Sequence, residues 1–253
     1  MAPFFILALV KGFVLLVLVM FYLPPVHKIL IPILSHFYSE YTLHFPRYYL
    51  LLPQIFNYAT VLIIDLLFGV LLYAAAVFSI GTAYKKERGG LFEGLRTGAK
   101  SIGSLAAIWL IKTLLVFLIF RYTTGFVFRL VGDLPLGYFF HFTIIQVMAL
   151  IVIAFLIYSI PAIMLHRRKL GGAIAESLRF TSKHFIFTFF LVLIPWVIQL
   201  PFDYIIYNKI NVVLTKLNYA VAVDLLIVNI IAAMFTGYLL YSGITYFYIS
   251  STE

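Results

Sequence analysis

Six apolar stretches, each long enough to cross a bilayer, leave this chain few folds to choose from. A spanning helix needs about 20 mostly apolar residues. Segments at about 3–23, 58–84, 101–121, 142–166, 184–206 and 220–248 meet that requirement. Residues 142–165 and 225–252 contain no Asp, Glu, Lys or Arg, whereas Lys11 interrupts the first segment. The runs are continuous, unlike the strands of outer-membrane barrels, which alternate apolar and polar over about ten residues. An all-α integral membrane fold follows. Composition agrees: 64% of residues are hydrophobic and 11% charged, where soluble domains are near half apolar and a quarter charged. Lipid must be the solvent for so much apolar surface.

Charge sets the expected orientation. The net charge is +9, and ten of the 18 Lys and Arg fall within residues 85–100 and 167–183. That clustering is the mark of cytoplasmic loops beside anionic headgroups, rather than of nucleic-acid binding. Both termini are then cytoplasmic, and residues 24–57, 122–141 and 207–219 face the other side. The apolar N-terminus lacks a basic leader and a clear small-residue cleavage site, so it reads as an uncleaved first span. Residues 35–58 hold eight aromatic rings, and Pro24, Pro25, Pro32, Pro46 and Pro53 lie within or beside them. This predicts a surface-lying or partly re-entrant segment without a long helix. There is no Cys, which removes disulfides, thiol metal sites and a Cys nucleophile.

A basic motif occurs twice between the spans. Residues 93–100 read Glu-Gly-Leu-Arg-Thr-Gly-Ala-Lys, and residues 176–183 read Glu-Ser-Leu-Arg-Phe-Thr-Ser-Lys. The Glu, Leu, Arg and Lys positions coincide, and each copy follows a Gly-Gly pair (Gly89-Gly90, Gly171-Gly172) and a basic cluster. On a helix, Glu93, Arg96 and Lys100 share one face, as do Glu176, Arg179 and Lys183. Leu91, Phe92 and Leu95, and then Ile174 and Leu178, stand opposite. Two short amphipathic helices on the cytoplasmic membrane surface are expected, with Gly-Gly supplying the turn out of each span. Spans two and three form one repeat unit and spans four and five the other, a parallel repeat about an axis along the membrane normal. Two readings of the motif stand. It is an interfacial elbow held by a local salt bridge, or a basic site for a lipid headgroup or a partner. In the second reading Arg96, Lys100, Arg167, Arg168, Lys169, Arg179 and Lys183 supply the contacts.

Residues 159–165 (Ser-Ile-Pro-Ala-Ile-Met-Leu), followed by residues 178–183 (Leu-Arg-Phe-Thr-Ser-Lys), resemble the bacterial YciC-type inner-membrane proteins. They also look like the membrane domain attached to some glycerophosphoryl diester phosphodiesterases. The resemblance covers roughly residues 58–250 and implies a six-span fold with two basic loops, each followed by a short helix, in a bacterial inner (plasma) membrane. No phosphodiesterase catalytic sequence follows before Glu253.

Charges inside the spans are the remaining clue, because ionisable groups in a membrane are costly and often functional. Asp65 and Lys112 each lie roughly 12–14 Å below the outer surface at 1.5 Å per residue. Adjacent spans are therefore expected to pair them, either as a structural ion pair or as an ion-coupling site. Lys11 is expected to snorkel toward the cytoplasmic surface. Asp203 and Asp224 are placed near Lys209 or Lys216. Gln146, Gln199 and Asn229 are expected to bond helices together, and Pro161 and Pro195 to kink their spans. His27, His36 and His44 lack the i, i+4 spacing of a helical zinc site, so no metal is expected. There is no Gly-x-Ser-x-Gly, His-Glu-x-x-His or Walker sequence and no carboxylate cluster, so neither catalysis nor a cofactor is expected. Two functions remain. One is a non-catalytic accessory or scaffold component, or a lipid-organising protein, partnered by anionic lipid and by other membrane subunits or a second copy. The other is a small transporter of an amphiphilic or ion-coupled solute using Asp65 and Lys112.

Overall fold

In a computed structural model, residues 1–87, 89–131, 137–206 and 220–252 are described. All their regular structure is helical. Six helical stretches are long and apolar enough to cross a membrane: Ala2–Tyr22, Tyr48–Tyr84, Ile102–Leu130, Phe139–His166, Phe185–Tyr204 and Ala220–Ser250. This is a polytopic helical membrane protein. Among the described residues the α-helices are α1 (Ala2–Val19), α2 (Pro24–Leu34), α3 (Glu40–Leu43), α4 (Tyr48–Tyr58), α5 (Val70–Tyr84), α6 (Leu91–Lys100), α7 (Ile102–Val131), α8 (Gly137–Leu156), α9 (Ser159–His166), α10 (Leu170–Lys183), α11 (Phe185–Tyr204) and α12 (Ala220–Ser250). A π-helical stretch, Ala59–Gly69, joins α4 to α5. The chain divides into two compact units, Met1–Gly69 with Trp196–Tyr238, and Val70–Pro195 with Leu239–Glu253.

The first unit is built on aromatic packing. Tyr48 is fully buried. Its ring stacks on Phe21 at 4.4 Å, and its hydroxyl donates to the Leu18 carbonyl at 2.8 Å. A buried phenol needs such a partner, and the Leu18 carbonyl supplies it near the end of α1. Leu34, Leu43, Leu52, Ile55 and Phe56 join the same core. The aromatic segment expected to lie on the surface is thus divided: Tyr48 and Phe56 enter the core of the unit, while Phe37, Tyr41, Phe45 and Tyr58 stay exposed. Its prolines do not prevent helix. Pro24 and Pro25 open α2, where a missing N–H costs nothing. Pro32 and Pro53 lie inside α2 and α4. The second span accordingly begins at Tyr48, ten residues before the expected boundary.

In the second unit α7 continues to Val131, beyond the expected end at residue 121. Thr123 and Thr124 lie on that extension and return their hydroxyls to the Ile119 and Phe120 carbonyls, so they need no outside partner. The fourth span breaks at Ile157–Tyr158, between α8 and α9. Pro161 explains the break: its ring collides with the carbonyl four residues earlier and offers no N–H to it.

Candidate functional site

Each short helix between two spans packs through its small residues. On α6 these are Gly94 and Gly98. A Cβ added at Gly94 would lie 2.9 Å from the Ala75 backbone, so only glycine lets α6 approach α5 this closely. On α10 the buried residues are Ala173, Ser177 and Thr181. Ser177 Oγ donates to the Phe155 carbonyl at 2.7 Å and Thr181 Oγ1 to the Ala154 carbonyl at 3.0 Å. Those carbonyls end α8, where no next turn satisfies them. Ser177 and Thr181 stand 83 residues after Gly94 and Gly98, the offset of the sequence motif.

The turns before these helices differ from expectation. The left-handed residues are Lys86 (φ 54°) and Arg167 (φ 53°), and no described glycine has positive φ. Gly171 and Gly172 belong to α10 itself. Gly89 serves close approach instead: a Cβ there would collide with the Thr82 side chain at 2.6 Å. Arg88 lies outside the described residues.

Glu176 does not pair with Arg179 or Lys183 along its own helix. Its Oε1 accepts from His166 Nδ1 at 2.9 Å and its Oε2 from Arg168 Nε at 3.0 Å. The buried Tyr248 hydroxyl of α12 also donates to Oε1 and lies 2.9 Å from His166 Nδ1. Burial raises the Glu176 carboxyl. The Tyr248 and His166 hydrogen bonds, the His166 charge and the Arg168 hydrogen bond outweigh it and hold the group below its ordinary value of 4.5. Tyr248 stacks against Tyr158, whose hydroxyl lies 3.1 Å from Thr188 Oγ1. Sequence spacing gave no sign of this latch, because His166 and Tyr248 stand 82 residues apart.

One carboxylate thus holds His166 and Arg168. Among the described residues, Arg96, Lys100, Arg167, Lys169, Arg179 and Lys183 form no hydrogen bond or ion pair through their side chains. All six are exposed. The local salt bridge drawn from i, i+3 spacing is absent from both motif copies. Phe92 stands beside the first set at 83% exposure and Leu178 beside the second at 42%.

Within the first unit, Asp65 lies in the π-helical stretch and meets Lys11 of α1. Nζ stands 2.9 Å from Oδ1 and donates to Oδ2 at 3.1 Å. Lys11 was expected to reach for the membrane surface; instead its ammonium turns to the carboxylate, which offsets the cost of both charges in lipid. Lys112, the expected partner of Asp65, belongs to α7 in the second unit and is not a free charge. Asn229 Nδ2 donates to Asp203 Oδ1 at 3.0 Å, and Gln199 donates to Thr236 Oγ1. Lys209 and Lys216, expected near Asp203 and Asp224, lie outside the described residues. Gln146 has no side-chain hydrogen bond among the described residues. Those residues hold no group of three His, Asp or Glu side chains placed to bind a metal.

Comparison with family models, with curated proteins and with solved structures finds no match.

Proposed function

We propose that this is a non-catalytic membrane protein that organises anionic lipid at the cytoplasmic surface, alone or as an accessory subunit. The observation that carries this reading is the set of unpaired, exposed cations on α6 and α10 beside outward apolar side chains. Cations at a membrane surface attract anionic headgroups with about 1 kcal/mol each, and exposed Phe92 and Leu178 suit the apolar boundary beneath. On this reading α6 and α10 are amphipathic interfacial helices. The shared register of Gly94 with Ser177 and of Gly98 with Thr181 supports a parallel repeat of spans two and three with spans four and five. The YciC-type resemblance fits the same architecture, in an inner membrane with both termini cytoplasmic.

The polar groups of the first unit favour this reading over transport. Lys11 with Asp65, Asn229 with Asp203 and Gln199 with Thr236 are spent on one another. A translocation path needs such groups turned toward its cargo. Gentle extraction and native mass spectrometry test the proposal. Retained anionic lipid, or a stoichiometric protein partner, is the expected result. Solute flux in liposomes that Asp65→Asn abolishes would establish the transporter reading instead.

A further inference from the structure

The handover from α10 to α11 shapes a shallow cavity of ≈ 500 Å³ with two chemistries. Ser182, Lys183 and His184 supply its polar lining, and Phe185, Ile186, Phe187 and Phe190 its apolar lining. Among the described residues Lys183 has no partner, and Glu176, the carboxylate of its own helix, is already held by His166, Arg168 and Tyr248. The local field at the rim is therefore positive, with exposed Arg179 one turn earlier on α10. Both parts of the lining are braced by Phe247, whose ring centroid lies 4.1 Å from that of Phe187 and which meets His184 edge-on at 5.3 Å. Ile186 and Phe190 face outward, at 73% and 54% exposure.

We infer that this cavity binds one anionic phospholipid, with its phosphate on Lys183 and the Ser182 hydroxyl and an acyl chain along Ile186, Phe187 and Phe190. The assignment rests on the lipid-organising reading above and narrows it to one site. Charge complementarity selects the phosphate, and the apolar wall selects a lipid over free phosphate. The first motif copy provides an internal contrast. Lys100 holds the position of Lys183, but Ser101, Ile102 and Gly103 follow it in place of His184, Phe185 and Ile186. It has the cation without the aromatic wall.

The test titrates phosphatidylglycerol, phosphatidylcholine and inorganic phosphate separately onto the full-length, delipidated protein in detergent, read by native mass spectrometry. Lys183→Gln is expected to weaken the tightest phosphatidylglycerol site roughly fivefold, with a larger loss for Lys183→Glu, as one and two surface charges imply. Phosphatidylcholine binding should stay unchanged. Ile186→Ser should weaken both lipids. Both positions are exposed, and matching helical circular dichroism shows that each variant folds. If Lys183→Gln leaves phosphatidylglycerol binding intact while Arg96→Gln with Lys100→Gln reduces it, this site is wrong and the broader reading stands. If no variant and no lipid shows a charge preference, both fail. Displacement of phosphatidylglycerol by inorganic phosphate at equal concentration overturns the lipid assignment in favour of a soluble anion.

Discussion

Glu176 is the carboxylate that ties the last span to the second elbow. Its side chain is 22% exposed, so its three donors act in a partly desolvated site. A group held below its ordinary value contributes stability that is complete above the unfolded value near 4.5 and is lost as pH falls through the lower folded value. Thermal melts in detergent should therefore be flat from neutral pH down to about that point and then fall. Glu176→Gln should abolish the acid limb and cost about 1.5–3 kcal/mol at neutral pH, the range for hydrogen bonds to a charged group. Tyr248→Phe should cost about 1 kcal/mol and keep the limb, since His166 and Arg168 remain. The Glu, Arg and Lys of the motif are visible in the sequence, and helical spacing pairs them with one another. That pairing fails because a neighbouring loop and a distant span offer Glu176 better partners, and spacing along one helix carries no information about either.

Among the elements, close helix approach depends on which small residue faces which neighbour. Gly94→Ala drives a Cβ to 2.9 Å from the Ala75 backbone, which cannot rotate aside. It should destabilise by about 1–3 kcal/mol, as overpacking does. Gly98→Ala places its Cβ 3.4 Å from Ala74 Cβ, at ordinary contact distance. It should be neutral or slightly stabilising, because Ala restricts the unfolded chain. Thermal denaturation of the two variants side by side decides this, and equal losses would contradict the packing described. The Lys11–Asp65 pair joins α1 to the π-helical stretch by the same kind of argument. Lys11→Met or Asp65→Leu alone should cost about 3–5 kcal/mol by stranding a charge, and the double variant should recover most of that loss. Chemical denaturation in detergent reads the cycle. Asp65 stands out in the sequence as a charge in an apolar run. Its partner does not, because Lys11 lies near enough to a terminus to suggest escape to water.

Over the whole molecule, orientation is testable without background, because the chain contains no cysteine. Lys169→Cys and Ser251→Cys should react with a membrane-impermeant maleimide only after the cells are opened, and Ser39→Cys in intact cells. The reverse pattern would turn the protein over and move the basic helices to the outer surface. Six spans, their helical nature and the basic clusters between them follow from the sequence alone. The physical reason is that lipid offers the backbone no hydrogen bonds, so a long apolar run has one answer, the helix. Hydropathy speaks to that answer residue by residue. It is silent on partners, and for that reason only the tertiary structure decided the rest. It drew Tyr48 and Phe56 into a core while Phe37, Tyr41, Phe45 and Tyr58 stayed exposed, carried α7 ten residues further, turned Lys11 toward Asp65 and gave Glu176 to His166, Arg168 and Tyr248. Each of those outcomes depends on which groups distant segments bring within hydrogen-bonding or packing reach. That reach is a property of the folded chain and is written in no local stretch of it.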